Sequence, residues 1–356
     1  MKRRHLLVSA GAAATLTACS ADPPAATTEF RWKLVTAWQA NFPGLAAGAK
    51  QLADAIGRAS GGRLTIETFA GNELIAPFEV FDAVSRGSVE MGHSAAYFWK
   101  NKHPAMPFFC TVPFGLNAQE MNAWLYHGGG LELWRELYAG FNLVPFPAGN
   151  TGVQMAGWFN REITSVDDLK GLKMRIPGLG GEVMTRLGSQ AVNLPGVEIA
   201  AAMRAGIIDA CEWMNPWNDL AFGLFDVAKY CYAPGWQEPG QTIECMINRD
   251  AYAALPQDLQ AIVEQCCRAI NADLLAEYTA ENQRAMRTLI DEHQVEFRRL
   301  PDSVLSALRN ASESVLTDLA GDNGFARRVL ASYRGFRDQS RAWHALSELP
   351  YYQARE

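Results

Sequence analysis

Beyond its first nineteen residues the sequence has no run of eighteen apolar residues, so nothing there can cross a bilayer as a helix. An excess of positive charge is also missing. Lys and Arg total 32 against 38 Asp and Glu, and this balance argues against nucleic-acid binding. The six histidines (His5, His93, His103, His127, His293 and His344) show no H-E-x-x-H or other close ligand spacing, which removes a histidine-built transition-metal site. A hard cation held by carboxylate, amide and carbonyl oxygens needs no short motif and stays open. The cysteines beyond Cys19 (Cys110, Cys211, Cys231, Cys245, Cys266 and Cys267) form neither a disulfide framework nor a zinc pattern, and most read as buried free thiols. Internal repeats and low-complexity tracts are absent as well.

What is present begins with an export segment over residues 1–19. Lys2-Arg3-Arg4 gives a charged start, and Leu6 to Ala18 is apolar, rich in small residues and too short for a stable anchor. Arg3-Arg4 also resembles a twin-arginine signal, without its full consensus. The ending Leu16-Thr17-Ala18-Cys19 matches the pattern for lipid attachment to an exported cysteine; a chance cysteine beside a simple cleavage site is the alternative. Residues 20–29 have linker composition and suit a tether. Removing residues 1–18 takes away three basic residues and no acidic one, so the net charge moves from −6 to −9. On so acidic a chain, an anion site needs one local cation to do the binding.

The remaining length is right for two α/β lobes, and 49 % apolar with 20 % charged residues describes a packed globular protein. Strand and helix signals alternate from Arg31: strand to Trp38, helix 44–59, strand 63–69, helix 78–86, strand 89–95. A second alternation follows, with strands at 142–148, 153–160, 172–176, 190–194 and 207–212 and helices at 181–187 and 198–205. Ser165 with Asp168 three residues on reads as a helix start. Strand character resumes at Thr242 to Asn248, so the second unit reads as inserted within the first. The spans predict one lobe over 30–148 and 242–255, a second over 149–241, and a helical region over 256–356. Leu259 to His293 holds helical spacing without Gly or Pro, as one long helix or two. That region packs back on the lobes or onto a partner subunit.

Three segments suggest chemistry. Gly92-His93-Ser94-Ala95-Ala96 approaches the G-x-S-x-G nucleophile elbow, but Ala96 puts a Cβ where the tight turn wants glycine. An exported hydrolase using Ser94 is therefore a rival reading, beside Ser94 as a small residue at a strand end. Gly178-Leu179-Gly180-Gly181 lacks a dinucleotide fingerprint, since Val183 stands where Gly or Ala is needed; it reads as a turn and a helix N-terminus. Asp209 to Asp219 mixes acids, amides and the indoles of Trp213 and Trp217 just past a buried strand, where open sheets place ligands. Core tryptophans with helix capping by Asn215 and Asp219 explain the same residues without a ligand.

Asp167-Asp168-Leu169-Lys170-Gly171-Leu172-Lys173-Met174-Arg175-Ile176-Pro177 resembles the signature of DctP-type TRAP solute-binding proteins. Ala202-Met203-Arg204-Ala205-Gly206-Ile207-Ile208-Asp209, Asn72-Glu73-Leu74 and Gly87-Ser88-Val89-Glu90-Met91 fit the same family, so the likeness covers most of the chain. It implies a two-lobed, type II-like periplasmic-binding-protein fold that closes by hinge motion, long C-terminal helices, and delivery of a small organic acid to TRAP membrane subunits for ion-driven uptake, with no catalysis. Arg175 would grip the substrate carboxylate, a role its planar fork suits better than Lys would. The segments 149–155, Glu212-Trp213 and 234–240 resemble the branch that binds 2-oxo or 2-hydroxy acids of pyruvate or lactate type through a bridging metal ion. The likeness implies Gln154, Glu212 and Trp213 as ion ligands, with Gln237 or Glu238 nearby, and hydrogen bonds to substrate from Tyr97 and Asn150. An oxygen-only set suits Na⁺ or Ca²⁺ alike. Ala201 and Gln237 depart from common family residues, which leaves a larger ligand such as a sugar acid open. Branch members pair as homodimers through exchanged C-terminal helices. The implied location is periplasmic, with a membrane anchor if Cys19 is acylated; a lipid-anchored sensor would use the same cleft.

Overall fold

A computed structural model describes residues 28–355 apart from 193 and 195. The expected export segment, Cys19 and most of the expected linker lie outside them. The elements run β1 (Phe30–Thr36), α1 (Leu45–Ala59), β2 (Leu64–Phe69), α2 (Val80–Ser85), β3 (Met91–Ser94), α3 (Ala118–His127), α4 (Gly130–Ala139) and β4 (Leu143–Asn150). Then come β5 (Gly157–Phe159), β6 (Lys173–Arg175), α5 (Gly178–Arg186), β7 (Gln190–Val192), α6 (Gly196–Arg204), β8 (Ala210–Cys211), α7 (Pro216–Phe222) and β9 (Tyr230–Ala233). The chain ends with β10 (Thr242–Asn248), α8 (Arg249–Ala253), α9 (Gln257–Asp291), β11 (Glu296–Arg299), α10 (Asp302–Ala320), α11 (Gly324–His344) and α12 (Glu348–Ala354).

These strands build two sheets and hence two lobes. The first has the order β2-β1-β3-β10-β4, with β1 parallel to β2 and β3 and with β10 antiparallel to β3 and β4. The second has the order β11-β9-β5-β8-β6-β7. Two neighbouring strands carry the chain between the lobes: β4 leaves at Asn150, β10 returns at Thr242, and these residues pair across the ladder. Chain crossings this close together form a narrow hinge.

The 35 residues of α9 form one helix, because buried side chains recur along one face (Leu259, Val263, Cys267, Ile270, Leu274, Tyr278, Leu289) and no Gly or Pro interrupts them. It packs on β4 and α1 of the first lobe and on α7 of the second. Where α1 begins, Gly44 has φ +72°, and its backbone lies so near the Tyr278 ring of α9 that a Cβ would come within 2.7 Å of it. The C-terminal region touches both lobes, since β11 extends the second sheet, α10 packs on α5, and α11 packs on α3 and α4. Among the described residues, no helix is long and apolar enough to cross a membrane.

Several elements differ from the sequence reading. The strand expected over 153–160 shortens to Gly157–Phe159, because Gln154 and Met155 donate their N–H groups to the Glu238 and Met214 carbonyls instead of to a sheet. The strand expected over 207–212 shortens to Ala210–Cys211. Ser165 opens a 3₁₀ turn, Val166–Leu169, rather than an α-helix, although Asp168 completes the capping box and is held at about 2 by the N–H groups of Thr164 and Ser165. The first lobe also contains α3 and α4, with α3 started by Asn117 and Glu120 capping each other's backbone.

One acid lies deep in the first lobe. Glu244 of β10 accepts hydrogen bonds from Trp99 Nε1 and Tyr138 Oη, both at 2.6 Å, and burial raises its pKa to about 7. The folded state thus holds a proton that the unfolded chain releases above the ordinary carboxylate range, so this group's contribution is full below about pH 4.5 and is lost as pH rises to about 7. It amounts to roughly 3 kcal/mol at about 1.4 kcal/mol per pH unit. Glu244→Gln is expected to flatten this pH dependence, which urea unfolding across pH 5 to 8 measures; an unchanged slope would assign the dependence to other groups.

Candidate ligand-binding cleft

The second sheet presents its functional groups at one edge because β6 and β8 run parallel and end level. Arg175 pairs with Cys211, and Glu212 N donates to Arg175 O at 2.8 Å. The next side chains along both strands therefore meet beyond the strand ends, the usual position of a ligand crevice. Arg175 is buried, yet held on all but one side. Its Nη1 donates to Glu212 O at 2.6 Å and to Glu212 Oε2 at 3.3 Å, and Nε donates to Leu194 O at 3.3 Å. The Trp213 ring stacks on the guanidinium, 5.1 Å from its carbon. Among the described residues Nη2 bonds to nothing, so one edge of the fork is left to donate.

Gln154 faces this site from the loop between β4 and β5. Its N–H donates to Glu238 O at 3.1 Å, and Nε2 donates to Glu238 Oε2 at 2.9 Å and Gln241 Oε1 at 3.2 Å. Gly235 presses against it, and a Cβ there would lie 2.1 Å from Gln154 O. Three side-chain oxygens are then buried without a partner: Gln154 Oε1, Glu212 Oε1 and Gln237 Oε1. Unpaired buried acceptors are costly unless something supplies positive charge or a donor. Their chemistry, two amides and a carboxylate, fits a hard cation. No group of three His, Cys, Asp or Glu suited to a metal occurs among the described residues. Burial and the neighbouring Glu238 push Glu212 well above the carboxylate range, against the pull of Arg175, and burial raises Glu238 to about 7.

Arg175, Gln154, Glu212 and Glu238 line one end of a cavity of about 660 Å³ between the lobes. Tyr97 and Gln241 complete the polar end, joined by a 3.2 Å hydrogen bond from Gln241 Nε2 to Tyr97 Oη. Trp38, Phe42, Leu45, Phe98 and Met214 make an apolar wall. The lobes touch around the mouth: Asn218 Nδ2 donates to Pro43 O at 3.0 Å, Phe42 meets Trp213 edge to face, and Lys100 pairs with Glu182.

The structure thus brings Arg175, Gln154, Tyr97, Glu212, Trp213 and Glu238 to one cavity. Asn150 and Gln237 are not among its lining residues. The Asn150 amide is spent on Gly240 O, Thr242 Oγ1 and Gly152 N, and Gln237 Nε2 donates to Met155 O. Ser94 is buried in β3 with its hydroxyl unpaired, while adjacent His93 accepts from Trp38 Nε1 at 2.8 Å and is held neutral by burial, near 4. Alternation along the strand points these two to opposite faces, so the geometry offers Ser94 no general base in its neighbour. Gly178 and Pro177 touch the cavity at the start of α5. Asn215 ties the Gln154 loop down through Thr151 O and Val153 O, and Asp219 accepts from Met214 N and Trp158 Nε1. Sequence reading missed Gln241, four residues after Gln237 in the same loop, and the apolar wall apart from Met214.

Two α/β lobes hinged by paired strands, with a cation-bearing cleft between them, define a solute-binding protein. A family profile described as bacterial extracellular solute-binding protein, family 7 (DctP), matches residues 35–322, and the chain belongs to that family. It is 40 % identical over 358 residues to a monocarboxylate 2-oxoacid-binding periplasmic protein of Nostoc sp., covering 99 % of this chain and 98 % of that one. A TRAP solute-binding protein of Pseudoalteromonas atlantica with bound sodium and pyruvate superposes with a TM-score of 0.87 at 40 % identity, over 92 % of this chain and 100 % of that one. One from Bordetella bronchiseptica, a mixed-occupancy dimer with calcium and picolinate in one active site, gives 0.87 at 36 % identity over 92 % and 97 %. The two-lobed fold of these neighbours is the fold of this chain.

Gly235→Ala forces the Gln154 backbone away from its carbonyl contacts. It is expected to weaken ligand binding at least about tenfold, the equivalent of 1.4 kcal/mol, by overpacking alone. Calorimetry on the folded variant checks this; unchanged affinity would show that Gln154 need not be held there.

Proposed function

We propose that the cleft captures a small 2-oxo or 2-hydroxy carboxylate of pyruvate or lactate type, together with a bridging cation, and passes it to TRAP membrane subunits without catalysing a reaction. One observation carries the reading. A buried guanidinium with an unspent edge stands in the same cavity as two unpaired buried oxygens, Gln154 Oε1 and Glu212 Oε1. The first wants an anion and the others want a cation, and a chelating acid with its ion answers both. Arg175 grips the carboxylate; Gln154, Glu212 and the Trp213 carbonyl hold Na⁺ or Ca²⁺, with Gln237 and Glu238 beside them. Tyr97 reaches the substrate from the first lobe, and Asn150 supports the loop next to it. Relatives named for 2-oxoacids or carrying pyruvate with an ion favour this class over sugar acids.

Arg175→Ala is expected to lower affinity for pyruvate at least about a hundredfold, as befits a charge-assisted pair lost in a closed cleft. Isothermal calorimetry in the presence of Na⁺ or Ca²⁺ measures it, and near wild-type affinity would remove Arg175 from the site.

The reading extends to the ends of the chain. The exposed apolar residues Trp343, Leu346, Leu349, Tyr351 and Tyr352 around α12 suit a partner subunit, as does the dimer formed by the Bordetella bronchiseptica relative. A homodimer through the C-terminal helices is expected in sedimentation, and deletion of residues 345–356 is expected to weaken it. A lipid on Cys19 would hold the protein at a membrane on the periplasmic side. The mass of the exported protein decides that point, since an unmodified Cys19 excludes the anchor.

A further inference from the structure

We infer that Glu238 makes the ion site select a divalent over a monovalent cation, so that this chain binds a monocarboxylate with an ion such as Ca²⁺. The inference rests on the reading of the cleft as an acid-and-ion site and names the residue that sets the ion's charge.

Glu238 is buried and acts through Gln154. Its carbonyl accepts from Gln154 N at 3.1 Å and its carboxylate accepts from Gln154 Nε2 at 2.9 Å. With the amide nitrogen committed to Glu238 and Gln241, the other end of the same amide is the unpaired Oε1. The carboxylate thus turns Gln154 oxygen-outward for a cation and is a positioning residue for the ion. It also brings charge. Glu212 and Glu238 oppose the single guanidinium of Arg175, and the other cation lining the cavity, Lys100, is paired with Glu182. The cleft therefore carries one net negative charge when its acids are ionised, and a bound monocarboxylate makes two. A divalent ion cancels both, whereas a monovalent ion leaves an unbalanced charge out of water, which proteins avoid strongly. Without Glu238 the same sum closes at a monovalent ion. Relatives hold sodium in one case and calcium in another, so the fold alone does not fix the choice.

The test uses the exported full-length chain, stripped of metal with a chelator and titrated with Na⁺ or Ca²⁺, each with and without pyruvate, at one fixed pH. Wild type is expected to bind Ca²⁺ at least about a hundredfold more tightly than Na⁺. Glu238→Gln keeps an oxygen for Gln154 and is expected to lower Ca²⁺ affinity at least about tenfold while leaving Na⁺ affinity unchanged or raised. Glu238→Asp, which keeps the charge, is expected to retain the preference. Equal affinities in wild type overturn the inference. So does an unchanged preference in Glu238→Gln with a wild-type melting temperature. Pyruvate bound equally well with either ion leaves the acid-site reading standing and removes only the selectivity. Failure of wild type to bind pyruvate with either ion removes both.

Discussion

The burial of one guanidinium is the constraint around which the rest is arranged. A charge taken out of water must be met by dipoles and countercharge, or the fold loses more than packing returns. Arg175 meets that demand with the Glu212 carbonyl and carboxylate, the Leu194 carbonyl and the Trp213 ring. The Glu212 and Trp213 contacts depend on the level ends of β6 and β8, where Arg175 pairs with Cys211, and the Leu194 contact on β7, whose Val192 pairs with Arg175 from the other side. The same contacts occupy Nη1 and Nε but leave Nη2, which turns a structural necessity into a recognition element. Glu212 is bound by the converse need. It is buried beside a second carboxylate, and only Arg175 and a cation could balance it.

Much of this was readable from the residues, and the division follows interaction range. The periodicity of α9 and the return of the chain at Thr242 to Asn248 are local patterns, and both stand in the structure. The loop at Gln154 looks like strand from its own residues, and only carbonyls from Met214 and Glu238 pull it out of a ladder. Glu212 and Trp213 fall in a segment whose acids, amides and indoles past a strand already suggest a ligand, while Arg175 and the individual roles come only from likeness to a family. Phe42 and Gln241 were not reached at all. They come to the cavity from positions about two hundred residues apart, and no local pattern encodes that meeting. Asn150 lies close by, but its amide is spent where the chain crosses between lobes, a competition that sequence does not display.

Closure and recognition share residues here. Phe42 lies on the cavity wall and meets Trp213, whose ring also covers Arg175. Asn218, five residues after Trp213, reaches the Pro43 carbonyl, next to Phe42. A shift of one lobe against the other therefore disturbs the cation stack as well as the mouth. The coupling needs no long relay, because the contacts lie on neighbouring residues in one segment and five residues apart in the other.

The long helix α9 has a mechanical meaning. Its first turns lie in the core with Leu34 and Phe146, its middle carries Leu274 and Tyr278, and Leu289 near its end lies in the core with Trp158 and Ile199. At 1.5 Å per residue it is a bar about 52 Å long anchored in both lobes. Such a bar resists stretching, so the lobes can part only by swinging about it, with its buried seam kept largely intact. The work of opening then falls on the few contacts at the mouth, and a molecule as small as an organic acid with its ion has leverage enough to tip the balance.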